Sequence, residues 1–170
     1  GKNGSGKSFR YLYINTILLL FLGNVFAQTN VSLEEVSVTT GVNLKEHFKA
    51  HTLVRLDYED LYEEHLQNDG TINFQLEGFG RKDLDFTITP WELRSEEYFM
   101  QTWDGERSHR SSASRTATYQ GNLLDATADE AYFTIDRQFL LGRWEMQNET
   151  FFLEPLWRID PNADTDTYIV

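Results

Sequence analysis

Residues 71–88 limit the possible folds more than any other stretch. Thr71-Ile-Asn-Phe-Gln-Leu-Glu-Gly78 puts Ile72, Phe74 and Leu76 on one side of an extended chain, and Leu84, Phe86 and Ile88 repeat the alternation after Gly80-Arg-Lys-Asp83. Successive strand side chains point to opposite faces, so a period of two broken by a turn predicts an antiparallel hairpin with one buried face. Tyr98–Trp103, Thr118–Leu123, Ala131–Ile135, Phe139–Gln147 and Thr150–Pro155 continue the pattern, separated by small or polar residues. Strands recurring every ~8–12 residues predict a mainly β (α+β) fold, an antiparallel β-sandwich or barrel-like sheet.

The segment before the hairpin adds one or two short helices. Val31–Val38 alternates loosely and predicts an edge strand or extended lead-in, Leu44–Ala50 one or two helical turns, and Leu53–Leu56 a further strand. Asp57 is placed to cap a helix reaching Gln67, whose apolar face would be Tyr58, Leu61, Tyr62 and Leu66. Asn68-Asp-Gly70 stops it, with Gly70 suited to a left-handed cap. Residues 106–116 are polar and rich in Ser and Arg, which predicts an exposed loop.

Charge and cysteine content remove whole classes of function. The 170 residues carry 27 acidic against 15 basic side chains, a net charge of −12, and no cysteine. Phosphate binding needs a basic surface to displace counterions, so this acidity argues against nucleic acid as a partner. The missing thiols exclude disulfides, thiolate zinc sites, iron–sulfur clusters and cysteine nucleophiles. Stability must therefore come from packing, and aromatic residues at 14% of the chain can supply it.

The amino end predicts export. Lys2, Lys7 and Arg10 precede an apolar stretch, Tyr11 to Ala27, whose densest run is only Ile17–Leu22 and which Asn15, Thr16, Gly23 and Asn24 interrupt. Basic flank, short apolar stretch and small-residue exit form a secretory signal peptide over residues 1–27, with Val25 and Ala27 placed for cleavage between Ala27 and Gln28. The stretch is too short and polar for a comfortable membrane span, so the exported domain, residues 28–170, is expected to be secreted with no membrane contact. Removing three basic residues and no acidic ones lowers its net charge from −12 to −15. In the same segment, Gly1-Lys-Asn-Gly-Ser-Gly6-Lys7-Ser8 matches a phosphate-binding loop letter for letter. The physics of that loop needs a strand before it and a helix after it, and neither is in evidence here.

Candidate chemistry is sparse. His47 and His51 have helical i,i+4 spacing but no assignable third ligand, and zinc wants three or four. His65 among Asp60, Glu63 and Glu64 reads as a solvated helix face. His109 lies near Asp104, Ser108 and Ser111, without the strand-turn-helix context of a nucleophile. Asp160-Pro-Asn-Ala-Asp164-Thr-Asp166 misses the spacing and glycine of a calcium loop. No catalytic or metal-ligating residue, and no cofactor, is therefore assigned in this domain. Arg107-Ser-His-Arg110 has minimal dibasic-type spacing within the exposed loop, which makes Arg107 and Arg110 a possible processing site.

Two blocks taken in order carry a resemblance. Asn73-Phe-Gln-Leu-Glu-Gly78-Phe-Gly80-Arg, Leu84-Asp-Phe-Thr-Ile-Thr-Pro90 and Trp91-Glu-Leu-Arg-Ser form the first; Thr118-Tyr119-Gln120-Gly121, Asp129–Ile135, Phe139-Leu-Leu-Gly142, Glu149-Thr-Phe-Phe-Leu-Glu154-Pro155-Leu156 and Tyr168-Ile-Val170 form the second. Together, over roughly residues 50–170, they resemble the propeptide of reprolysin-type (M12B) secreted zinc metalloproteases, with a bacterial setting. The resemblance implies a non-catalytic prodomain that assists folding of the protease or keeps it latent by covering its cleft. Its partner would be its own catalytic domain, the only place where zinc is expected. Many members of that family silence the zinc with a prodomain cysteine, and this chain has none, so a thiolate switch cannot come from these residues. Gly78, Gly80 and Gly121 read as turn or bulge positions, and Pro155 as a strand end. The alternative is a free-standing secreted β-sandwich module for carbohydrate or peptide, with Trp91, Trp103, Trp144 and Trp157 as an aromatic platform.

Overall fold

In the computed structural model, which describes residues 28–80, 82–95, 97–112, 115–124 and 130–170, the alternating segments become eleven strands and one α-helix. The expected signal peptide, with Ala27, and the Gly1–Ser8 motif lie outside the described residues. The strands are β1 (Thr29–Glu35), β2 (Leu53–Asp57), β3 (Ile72–Phe79), β4 (Lys82–Pro90), β5 (Phe99–Trp103), β6 (Ser108–Ser112), β7 (Thr118–Leu123), β8 (Glu130–Ile135), β9 (Leu140–Met146), β10 (Glu149–Pro155) and β11 (Thr167–Ile169), with helix α1 at Glu59–Gln67.

Nine strands close into a barrel in the order β1-β2-β11-β10-β9-β8-β7-β4-β3. The barrel-like sheet expected from the strand spacing is thus the architecture formed. Every junction is antiparallel except β1 with β3, which runs parallel. The first strand is therefore not an edge: the chain leaves β1, passes through β2 and α1, and returns on its other side as β3. A closed ring leaves no unpaired strand edge in that sheet.

The β3–β4 hairpin has the register its alternation demands, Ile72↔Ile88, Phe74↔Phe86 and Leu76↔Leu84. All six side chains are buried. The register slips between Leu76 and Phe79, where Gly78 has φ +83° and a Cβ would sit 2.5 Å from the Leu33 carbonyl. Glycine is required there both for the left-handed backbone and for the close approach of β1.

Large side chains fill the barrel. Phe133 packs edge-on against Phe74 and Phe86 at 5.1 and 5.0 Å, and Trp144 lies parallel to Phe133 at 6.4 Å and to Phe151 at 5.8 Å. Fully burying such a residue contributes about 1.5–3 kcal/mol from apolar transfer. Helix α1 turns Leu61 and His65 inward. Leu66, expected on the buried face, is 47% exposed, because the inward stripe follows the i,i+4 pair Leu61/His65 and Leu66 sits about 100° further round. The helix N-cap is Tyr58, without a side-chain capping bond; Asp57, expected to cap it, lies one residue earlier at the end of β2 and accepts the Glu59 amide at 3.2 Å. The stop is Asn68, whose backbone turns extended and whose side chain accepts the Gly70 amide at 2.8 Å; Gly70 takes no left-handed conformation.

Candidate docking site

The connection between β4 and β7 leaves the barrel. Strands β5 and β6 pair only with each other, Phe99↔Ser112 through Trp103↔Ser108, and all ten of their residues are exposed. The expected loop over residues 106–116 is thus half strand: Ser108–Ser112 completes a ribbon because Tyr98–Trp103 offers it a partner. Asp104 builds the turn, accepting the amides of Glu106 at 2.9 Å and Arg107 at 2.8 Å and meeting His109 Nε2 at 2.6 Å. Donation from the Arg107 and Glu106 amides, then from His109, pulls the Asp104 carboxyl down to about 2.

The arm is apolar where a solvated loop would be polar. Trp103 is 68% and Leu93 71% exposed, and Trp91, Tyr98, Phe99 and Met100 also face solvent. The Arg110 guanidinium lies 3.7 Å over the Phe99 ring, a cation–π contact. Neither Arg107 nor Arg110 has a carboxylate partner among the described residues.

Two contacts fix the root. Arg94 bonds Glu92 and Thr116, and this pairing draws the Glu92 carboxyl down to about 2. Arg115 donates to the Leu66 carbonyl and to Asp69, tying the arm to the end of α1. Beside that tie runs a cleft of about 480 Å³, lined by Tyr58, Tyr62 and Leu66 with the side chains of Asp57, Glu59, Glu63 and Arg137. Below it, His65 Nδ1 meets the Tyr119 hydroxyl at 2.7 Å in a buried pair. Burial first, then Arg115, lowers the His65 pKa, with Asp136 opposing.

A second surface follows the outer wall. Trp91 packs on Tyr132 at 5.5 Å, Arg143 lies 5.8 Å over Tyr132, and Phe152 stands directly across from Arg143 on β10. Tyr132, Arg143 and Phe152 border a shallow cleft of about 210 Å³ that also includes Thr134, Leu141 and Glu154.

The residues singled out from sequence divide by position. Tyr119 is buried on β7; Gln120 is half-buried there, its carbonyl accepting the Thr89 hydroxyl. Gly121 sits where a Cβ would lie 1.9 Å from the Thr87 carbonyl, and Gly142 where it would lie 2.8 Å from Phe133. Gly80 has φ +62° in the β3–β4 turn. Glu154 and Pro155 pair with Ile169 and Tyr168, and Leu156 packs with Leu44 and Ile169 in a small second core. Gln28 reaches Asp85 at 2.5 Å. Arg107 and Arg110 occupy the exposed arm. Trp144 is core, Trp157 half-buried, and Trp91 and Trp103 exposed.

The histidine readings change. His65, expected on a solvated face, is 5% exposed and belongs to the core. His47 and His51 do not share a helical face, since the turn at Leu44–Glu46 is 3-10 and ends before them; Phe48 packs between their rings. His109 does pair with Asp104, but Ser108 is bonded to Gln101 instead of to the imidazole, so no triad forms there. Asp160 is a clamp within the chain, accepting the Gly41 amide at 2.7 Å and the Asn162 amide at 3.1 Å, which lowers its pKa. Among the described residues no group of three or more acidic or imidazole side chains is arranged to hold a metal ion.

Comparison with protein-family models finds no match. Comparison with curated proteins finds none either. The arm and its neighbouring cleft therefore carry the functional reading on their own chemistry.

Proposed function

We propose that the chain is a secreted, non-catalytic docking domain, and that its best-supported role is as the prodomain of a secreted zinc metalloprotease. It would assist folding of the catalytic domain or keep it latent by covering its cleft. The observation that carries docking is the arm: exposed Trp103, Phe99 and Tyr98 on a ribbon that leaves a barrel whose interior is filled by its own side chains. Aromatic residues with arginine are the composition of interface hot spots. The order of the Gly78/Gly80 and Tyr119-Gln120-Gly121 blocks supports the metalloprotease assignment, and the basic-apolar leader supports export.

Translating the coding sequence beyond Val170 tests the prodomain role. A segment containing H-E-x-x-H-x-x-G-x-x-H should follow, and this chain added in trans should slow peptide cleavage by that segment. A coding sequence with no protease, or a protease indifferent to the added chain, would overturn it. The row Trp91–Tyr132–Arg143–Phe152 favours a second reading, a binding module whose aromatic faces take a sugar ring or peptide; titration with glycan and peptide arrays distinguishes the two.

A further inference from the structure

The arm and the α1 cleft are complementary in chemistry and adjacent in space. An isolated two-stranded ribbon is at best marginally stable in water. This one buries none of its residues against the barrel and turns Phe99, Met100 and Trp103 to solvent. The cleft beside α1 offers apolar bodies to receive such side chains, Tyr58, Tyr62 and Leu66, and carboxylates at its rim, Asp57, Glu59 and Glu63. The cleft lining sets Arg137 alone against three carboxylates, and Arg107 and Arg110, which lack carboxylate partners among the described residues, are cations able to meet the excess.

Placement selects the occupant. Arg115, three residues beyond β6, binds the carbonyl of Leu66, and Leu66 lines the cleft. The root of the arm therefore abuts the surface that complements its tip. A self-complementary pair of adjacent surfaces is what a closed two-fold contact requires, each copy giving the same patch that it receives. The bodies are strongly acidic and repel each other, so the contact must place cations against carboxylates. On the arm Asp104 is taken up by the Glu106 and Arg107 amides and His109, which leaves Arg107 and Arg110 to face the cleft carboxylates, with Glu106 the one acid of the turn that opposes them. We infer that two copies of this chain associate about a two-fold axis, the β5–β6 arm of each seated in the α1 cleft of the other. This does not rest on the prodomain reading.

Sedimentation velocity on the purified chain across a concentration series tests it. A dimer is expected, and Trp103→Ala should weaken it about tenfold or more, as truncation of a central aromatic does. Arg107→Glu with Arg110→Glu (arm-reversed), and Glu59→Lys with Glu63→Lys (cleft-reversed), should each leave a monomer. All these positions are exposed, and an unchanged far-UV circular dichroism spectrum confirms that the variants fold. Mixing the arm-reversed and cleft-reversed chains should restore a dimer, since each arm then meets a cleft of opposite charge. A wild-type monomer at every soluble concentration overturns the inference. So does a dimer that survives the arm variants, a mixture that stays monomeric, or a monomer that associates only with a protease domain.

Discussion

Replacing Gly121 by alanine should damage this barrel more than any other glycine-to-alanine change in it. A Cβ there would lie 1.9 Å from the Thr87 carbonyl oxygen and 2.7 Å from the Ile88 Cα. Non-bonded carbon contacts settle near ~3.5 Å, so β4 and β7 would have to part by about 1.5 Å. The parting falls on the registered pairs Thr87↔Asn122 and Ile88↔Gly121. Each buried backbone group left without a partner costs about 1–3 kcal/mol, so two such groups put the loss at roughly 2–6 kcal/mol. Two other glycines calibrate the argument. Gly142→Ala meets the Phe133 ring at 2.8 Å, a side chain held by Phe74, Phe86 and Trp144, and should cost about 1–3 kcal/mol as overpacking. Gly80→Ala meets nothing within 4 Å and carries only the left-handed backbone, about 1–2 kcal/mol. Urea titration followed by tryptophan fluorescence should order the midpoints Gly121→Ala, Gly142→Ala, Gly80→Ala from lowest upward. A Gly121→Ala midpoint level with or above that of Gly80→Ala refutes the steric account.

Three shorter expectations complete the set. The lowered His65 pKa means that the unfolded chain binds the proton more readily, so this residue's contribution to stability is full above its ordinary value of 6.5 and is lost as the pH falls below it. The melting temperature should drop on acidification from about pH 7 to about pH 5, and the double variant His65→Phe with Tyr119→Phe should flatten that slope; an unchanged slope would show that other groups govern it. Leu61→Ala, which removes a fully buried side chain from the inward face of α1, should cost about 2–5 kcal/mol by the same urea assay, whereas Trp103→Ala, compared at a dilution where the wild type is monomeric, should stay within about 0.5 kcal/mol of it. At a dilution where the chain is monomeric, limited trypsin digestion read by mass spectrometry should cut after Arg107 or Arg110 before any arginine or lysine of the barrel strands; first cuts within β4 or β9 would contradict a protruding arm.

The strands were legible in the sequence because side-chain period two survives any sheet curvature. Alternation located the β3–β4 hairpin and its buried face, and β7 to β10 within a residue or two, but it carries no information on register or on which strands become neighbours, and so the parallel β1–β3 junction was not visible. The ribbon strand β6 was hidden by composition: Ser108-His-Arg-Ser-Ser112 has no apolar alternation because neither of its faces is buried. The His65 error has the same origin in reverse. Its sequence neighbours Glu63 and Glu64 suggested solvent, whereas burial on a helix is set by residues four apart, and Leu61 was the relevant neighbour. At the candidate site, Arg107 and Arg110 were marked by spacing as processing residues; their position beside exposed aromatics became apparent only from the β5–β6 pairing.

The position of β11 governs how this chain can acquire its structure. Residues 167–169 are hydrogen-bonded between β10 and β2, and Leu53 waits for Ile169 across more than a hundred residues of intervening chain. During synthesis, β2 therefore carries an unmatched backbone edge until nearly the whole described domain has emerged. Pairing at such sequence separation raises contact order and slows folding. The three-residue strand is thus a kinetic gate: chain shortened before Thr167 would retain two sticky edges, and association with other chains would compete with closure.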